Sequence, residues 1–241
     1  MKAKRSKQNA PVPLIWQRLD KAREKGNISY RAIVREAMKL ADAGGLEEVS
    51  MRRLATRLDA GTMSLYRYVN GKSDLWDLIL DEAFGEIPVP KKVSKDWRRD
   101  ISRVFAATRR VMLAHRWLAA LLTSRPALGP NYLRWFEFLL AATKAPNREL
   151  LTRVRMIGTV WAFTSGSVAY EVAERENDRR NNRTPASKRA AAEPYIAGVV
   201  ATGEFPHFAE YVKGPAHEPT DEDFRFGLRV VLDGLAVSRR V

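Results

Sequence analysis

The chain has 241 residues, 45% of them hydrophobic, which is enough to bury a core, and it contains no cysteine, which rules out disulfides, zinc–thiolate sites and thiol nucleophiles. Lys and Arg number 42 against 28 Asp and Glu, a formal charge of +14, and the excess is uneven: residues 1–72 hold 16 basic and 7 acidic side chains, net +9. That asymmetry points to a polyanionic partner. The opening MKAKRSKQNAPVP lacks the apolar stretch of a signal peptide, and no run approaches the roughly 18 apolar residues that span a bilayer, so a cytoplasmic protein with no membrane partner is expected.

In chain order, residues 1–27 read as a basic arm, partly disordered, with a short helix over Leu14 to Glu24; Lys2, Lys4, Arg5 and Lys7 are placed to reach a minor groove or neighbouring phosphates, or simply to be solvated. From Ile28 the pattern turns helical. Ser29 caps a first helix in which Ile33, Ala37, Leu40 and Ala41 recur, and Gly44-Gly45 ends it. Ser50 caps a second, with Met51, Leu54, Ala55 and Leu58 facing inward and Arg52, Arg53 and Arg57 outward. The break Asp59-Ala60-Gly61 leads into Thr62 to Val69, and Asn70-Gly71 precedes a helix over Ser73 to Phe84.

Three short helices separated by tight turns, within 28–86, suit a helix-turn-helix, in which one helix braces on phosphates and the next pushes its first side chains into the major groove. Leu54, Ala55, Leu58, Leu65 and Val69 are expected to pack the pair together. Thr62, Ser64, Arg67 and Tyr68 are expected to project from the opposite side, with Met63 and Tyr66 completing the contact set. Hydroxyls bond phosphates or base edges, Arg67 forks onto guanine, and Lys72 and Arg52 add phosphate charge at helix starts.

Ser29 to Glu86 resembles the DNA-binding domain of the tetracycline-repressor family, through SMRRLATRL, SLYRYV and GKSDL, with Leu65, Tyr66, Tyr68, Lys72 and Leu75 at that family's spacing. Asp59 stands where the family usually has Gly; Asp tolerates left-handed geometry.

Beyond Glu86 the tract IPVPKKVSK reads as a hinge, because its prolines forbid a continuous helix. A helical domain over 95–241 follows, with segments at Trp97 to His115, Trp117 to Thr123, Asn131 to Thr143, Arg148 to Glu176 and Asp221 to Ser238; the polar stretch Glu174 to Arg189 reads as a mobile surface loop. Ser124-Arg125-Pro126, Phe163 to Gly166 and FRFGLRVVLDGL again resemble the tetracycline-repressor class. The resemblance implies an all-α protein: a three-helix DNA-binding domain joined to a larger helical ligand-binding and dimerisation domain. Arg153 to Glu174 and Asp221 to Ser238 would be its dimer helices, with Leu228, Val231, Leu232 and Leu235 as an apolar seam. A pocket for a small-molecule effector is implied among Phe105, Met112, Trp117, Leu121, Trp135, Phe138, Trp161, Ser165 and Tyr170.

Members nearest the tetracycline repressor hold a magnesium–drug complex with a His and a Glu; here those places align with Leu121 and Tyr170, so a neutral or amphipathic organic effector is expected and no metal or cofactor. No HExxH, GxSxG, P-loop or CxxC is present, so no enzyme is expected. His115 is expected to end a helix rather than transfer protons, and Asp96, Asp100, Glu171 and Glu174 to face water. The expected function is that of a homodimeric repressor released from its operator by a small molecule. The alternative is an architectural protein that coats DNA with little sequence preference and no effector.

Overall fold

The computed structural model describes residues 14–19, 29–144, 148–214 and 220–237, and among them there are helices and turns but no strand. Helices α1 (Ile15–Leu19), α2 (Tyr30–Gly44), α3 (Met51–Arg57), α4 (Thr62–Leu65) and α5 (Lys72–Gly85) are followed by α6 (Trp97–Ala114), α7 (Trp117–Ser124) and α8 (Pro130–Ala142). Then come α9 (Leu150–Asn181), α10 (Pro185–Ala201), α11 (Pro206–Lys213) and α12 (Asp221–Val237). Most of the arm expected over 1–27, including the helix beyond Leu19, lies outside the described residues.

The contacts divide the chain into two compact units, one of residues 1–93 and 110–141, the other of 94–109 and 142–241. In the first, α2 packs on α3 and α5, α3 on α4, and α5 on α1 and α7. Its core is the apolar spacing of the sequence made solid: Ile33, Ala37 and Ala41 of α2, Leu54 of α3, Leu65, Val69, and Leu75 and Ile79 of α5 are all buried. Further along α5, Phe84 meets Tyr132 and Trp135 of α8 edge to face, with ring centroids 5.1 and 5.4 Å apart.

In the second unit α9 packs along α12. Met156, Ile157, Val160, Thr164, Val168 and Glu171 recur at helical spacing as the buried face of α9, and Phe224, Leu228 and Leu232 meet them from α12. Phe163 and Phe224 stack at 5.5 Å, and a Cβ on Gly227 would fall 2.5 Å from the Phe163 ring, so a larger residue there would have to displace that ring. Arg109 of α6 is buried against Glu171 at 2.5 Å and also pairs with Asp221, while its guanidinium lies 5.0 Å from the Phe224 ring centroid.

Three expectations are corrected here. Glu174 to Arg189 is not a loop: α9 continues to Asn181, Asn182 takes the left-handed cap (φ 49°), and a reciprocal Thr184–Ser187 capping box starts α10. Lys188 reaches back to Glu174 (3.1 Å) and Asp178 (2.8 Å), so the charges that made the stretch look too polar to order are partly used to order it. Of the acidic pairs expected to face water, Asp100 and Glu171 are buried, Asp100 accepting the Ser94 N–H at 2.6 Å and Glu171 holding Arg109 and Arg175. In the expected dimer seam, Leu228 and Leu232 are already spent inside the protomer.

Candidate nucleic-acid interface

α3 starts on Ser50, whose hydroxyl accepts the Arg53 N–H at 3.2 Å, and ends in a left-handed turn at Asp59 (φ 48°). There the Ala60 N–H reaches back to the Ala55 carbonyl at 2.9 Å and the Asp59 N–H to Thr56 at 3.4 Å, the hydrogen-bond pattern of a Schellman motif. The departure at Asp59 therefore leaves the turn intact. α4 is shorter than Thr62 to Val69, closing after Leu65, but the Tyr68 and Val69 N–H groups still bond to the Leu65 carbonyl at 2.9 and 3.1 Å, so the chain keeps turning.

Met63 is 76% exposed and Tyr66 46%, and Thr62, Arg67, Arg52 and Lys72 are also exposed, with Ser64 half-buried. Leu65 and Val69 form the inner face as expected. Tyr68 is the correction: it is only 7% exposed and packs on that inner side, so its projection with Arg67 is not seen. Among the basic side chains of α3, Arg53 pairs with Glu48 and Arg57 lies 3.7 Å from Glu36, whereas Arg52 has no ion pair among the described residues. Lys72 stands at the start of α5, its ammonium 5.9 Å from the Trp76 ring centroid, after Gly71 in a conformation (φ 148°) that side chains rarely adopt.

Local patterning did not reveal what fixes this surface. Asp74 accepts the Asn70 N–H at 2.6 Å and both of its oxygens receive the Arg18 guanidinium at 2.7 Å, which pins the turn between α4 and α5 to α1. Arg125, just after α7, bonds the Ser73 carbonyl at 2.7 Å and the Asp77 carboxylate at 2.6 Å. Burial pushes the Asp77 carboxyl above the usual range although Arg125 pulls it down. Arg18 and Arg125 lie 48 to 56 residues from these partners in sequence, beyond the reach of any periodicity.

The residues expected to line an effector pocket are distributed over both units. In the first, Met112, Trp117, Leu121, Trp135 and Phe138 are buried; Trp117 donates its indole N–H to Asp42 at 2.7 Å. In the second, Phe105 is buried, Trp161 and Ser165 are half-buried, and Tyr170 is 64% exposed, so Tyr170 is not enclosed as a pocket residue would be. A groove of about 660 Å³ beside Lys91, Lys92 and Arg134 takes in Phe138 alone of the nine, and a larger one of about 900 Å³, between Trp16, Tyr30, Asp81 and Asn131, takes in none. Among the described residues no group of three or more His, Asp or Glu is placed to hold a metal, and no helix is long and apolar enough to cross a membrane.

Residues 89–239 match the model of the tetracyclin repressor-like C-terminal domain. An HTH-type transcriptional regulator of Saccharopolyspora erythraea is 37% identical over 202 residues, 82% of this chain and 86% of that protein. The HTH-type transcriptional repressor DrrR1 of Streptomyces coeruleorubidus is 33% identical over 232 residues, 94% of this chain and 84% of that one. Among solved structures, the Streptomyces coelicolor protein ActR in complex with actinorhodin superposes with a TM-score of 0.67 at 27% identity, covering 88% of this chain and 98% of its own.

Proposed function

Since the chain belongs to the tetracycline-repressor family of transcriptional regulators, we propose that it is a homodimeric repressor that holds a specific operator and releases it when a small organic molecule binds. Residues 28–86 form the DNA-binding domain and 95–241 the effector-binding and dimerisation domain, and the protein acts in the cytoplasm with no catalytic step of its own. The observation that carries the DNA side is the exposed set Thr62, Met63, Tyr66 and Arg67 on and just after a short helix braced by α3, with Arg52 and Lys72 flanking it. Small polar and aromatic groups meet base edges and the two cations meet phosphates. Tyr68 supports this face from behind.

The effector is a small organic compound, as is suggested by the ActR structure in complex with actinorhodin, received by apolar and aromatic side chains rather than by a metal. That the buried aromatics Trp117, Trp135 and Phe138 lie in the segment matched by the family's C-terminal model supports this assignment.

Salt and competitor DNA separate repressor from architectural protein. Duplexes enriched by the full-length protein from a random library should stay bound against a large excess of random duplex, whereas binding through the backbone alone is lost to both salt and competitor. If no sequence is enriched, the repressor reading fails. A gel-shift series with actinorhodin and other small organic compounds then tests release: the reading requires one that both binds the protein and lowers its affinity for the enriched duplex.

A further inference from the structure

His115 sits in the turn between α6 and α7 and is only 8% exposed, yet both of its ring nitrogens face carboxylates. Nδ1 lies 2.8 Å from Asp42 Oδ1, near the end of α2, and Nε2 lies 2.9 Å from Glu86 Oε2, at the residue that ends α5. The same Asp42 oxygen accepts the Trp117 indole N–H from α7 at 2.7 Å, and the His115 and Trp117 ring centroids are 5.5 Å apart. The backbone closes the arrangement: the His115 N–H bonds to Val111 in α6 and its carbonyl accepts the Leu118 N–H in α7.

An ionised carboxylate only accepts hydrogen bonds, so both contacts exist together only while both ring nitrogens carry hydrogen. A neutral ring keeps one N–H and turns a lone pair towards the other carboxylate at under 3 Å. We propose that His115 is a positioning residue for operator binding: as an imidazolium it ties α2 and the end of α5 to the α6–α7 turn, and affinity for DNA falls when the ring loses its proton. This rests on the DNA-binding reading above. α2 packs on α3, which braces α4, and α5 carries Lys72 at its other end, about 20 Å away along a rigid helix. Loosening one corner therefore disturbs both supports of the DNA face.

Asp42 from α2 and Glu86 from α5 are the charged groups facing the ring; α7 presents the Trp117 indole, and Arg116 is the neighbouring cation along the chain. Burial opposes the charge on His115, but the bonds to the two carboxylates outweigh it and raise the ring above its usual pKa of 6.5. The folded value is higher than the unfolded one, so the clamp's contribution is complete below the unfolded value and is lost as pH rises through the folded one.

The test uses a duplex enriched from a random library by the full-length protein at about pH 6, where the ring is charged. Wild-type affinity for that duplex should fall about tenfold between roughly pH 6 and pH 9, the scale of one charge-assisted hydrogen bond. Glu86→Gln should bind as tightly as wild type at the lower pH and keep its affinity at the higher one. A neutral ring then donates through Nδ1–H to Asp42 and accepts the Gln amide at Nε2. His115→Gln should be weak at both, with no slope of its own.

Equal wild-type affinity at the two pH values, or an unchanged slope in Glu86→Gln, would overturn the proposal. Thermal unfolding supplies a readout without DNA: wild type should lose stability over the same range while Glu86→Gln does not. If that difference appears but no duplex is ever enriched, the DNA-binding reading fails and the positioning role falls with it, leaving a pH-sensitive clamp that serves only the fold.

Discussion

Arg67 and Tyr68 are neighbours in the chain and part company in the fold, one exposed and the other buried beside Val69. The sequence alone presented both as candidates for the DNA face. An aromatic just after a short helix reads equally well as base-contacting or as core, and the choice depends on what packs against it in the fold, which no local period encodes. The two residues should therefore fail in different assays. Tyr68→Ala opens a cavity and should cost about 3 kcal/mol of stability, read as a lower denaturation midpoint. Arg67→Ala should leave that midpoint within about 0.5 kcal/mol and instead cost about 1–3 kcal/mol in affinity for the enriched duplex over random DNA.

Lys72 offers a third behaviour. An exposed ammonium at a helix start, resting on the Trp76 side chain, is suited to a phosphate and carries no base information. Lys72→Ala should weaken enriched and random duplexes alike and lower the slope of log affinity against log salt by about 1. An equal loss of specificity from Arg67→Ala and Lys72→Ala would contradict the division of roles between them.

At the scale of elements, most helix starts and stops were written locally. Ser29 and Ser50 cap α2 and α3 as their positions suggested, Gly45 and Asp59 stop them, and the hinge of prolines after Glu86 stays out of helix. What was not legible is held by polar contacts rather than by an apolar period. The polar stretch joining α9 to α10 lacks an apolar stripe, so nothing in its hydrophobic pattern announced it; capping and the Lys188 ion pairs order the junction instead.

Asp81 makes another such contact. From within α5 it accepts the backbone N–H groups of Asn131 and Tyr132, each at 2.9 Å, and so caps α8 from a different helix. Its burial pushes its carboxyl up while those two bonds pull it down, and a Cβ on Gly129 would fall 2.2 Å from it. Asp81→Ala should cost about 2 kcal/mol by leaving two N–H groups without an acceptor, whereas Asp81→Asn, which keeps an acceptor oxygen, should cost less than half of that. Chemical denaturation of the two variants checks the order; equal losses would mean that the carboxylate's charge, and not merely an acceptor oxygen in that place, is what α8 needs.

At the scale of the whole molecule, a repressor of this family works as a pair, and the packing of α9 on α12 changes where the pairing surface must lie. Leu228 and Leu232 are committed inside the protomer, while Phe226 (61% exposed), Val230 (55%) and Val237 (84%) line the outer side of α12, four and seven residues apart, with Gly234 between the last two. A Cβ on Gly158, Gly166 or Gly234 would meet nothing within 4 Å, so these glycines leave open surface on α9 and α12 where a second copy can approach closely. An apolar row of this kind on an exposed helix face is the feature a four-helix interface buries.

Val230→Asp places a charge in that row without touching the protomer core. It should convert the dimer to a folded monomer, seen as a halving of mass in sedimentation or light scattering with an unchanged unfolding midpoint at low protein concentration. Each dimer carries two DNA-binding heads, and the second binds at an effective concentration set by the first, so losing the pair should weaken affinity for a two-half-site duplex by about a hundredfold or more. Affinity for a single half-site should hardly change. A variant that stays dimeric would move the interface off α12, and one that is monomeric yet keeps full affinity would show that each head recognises the operator alone.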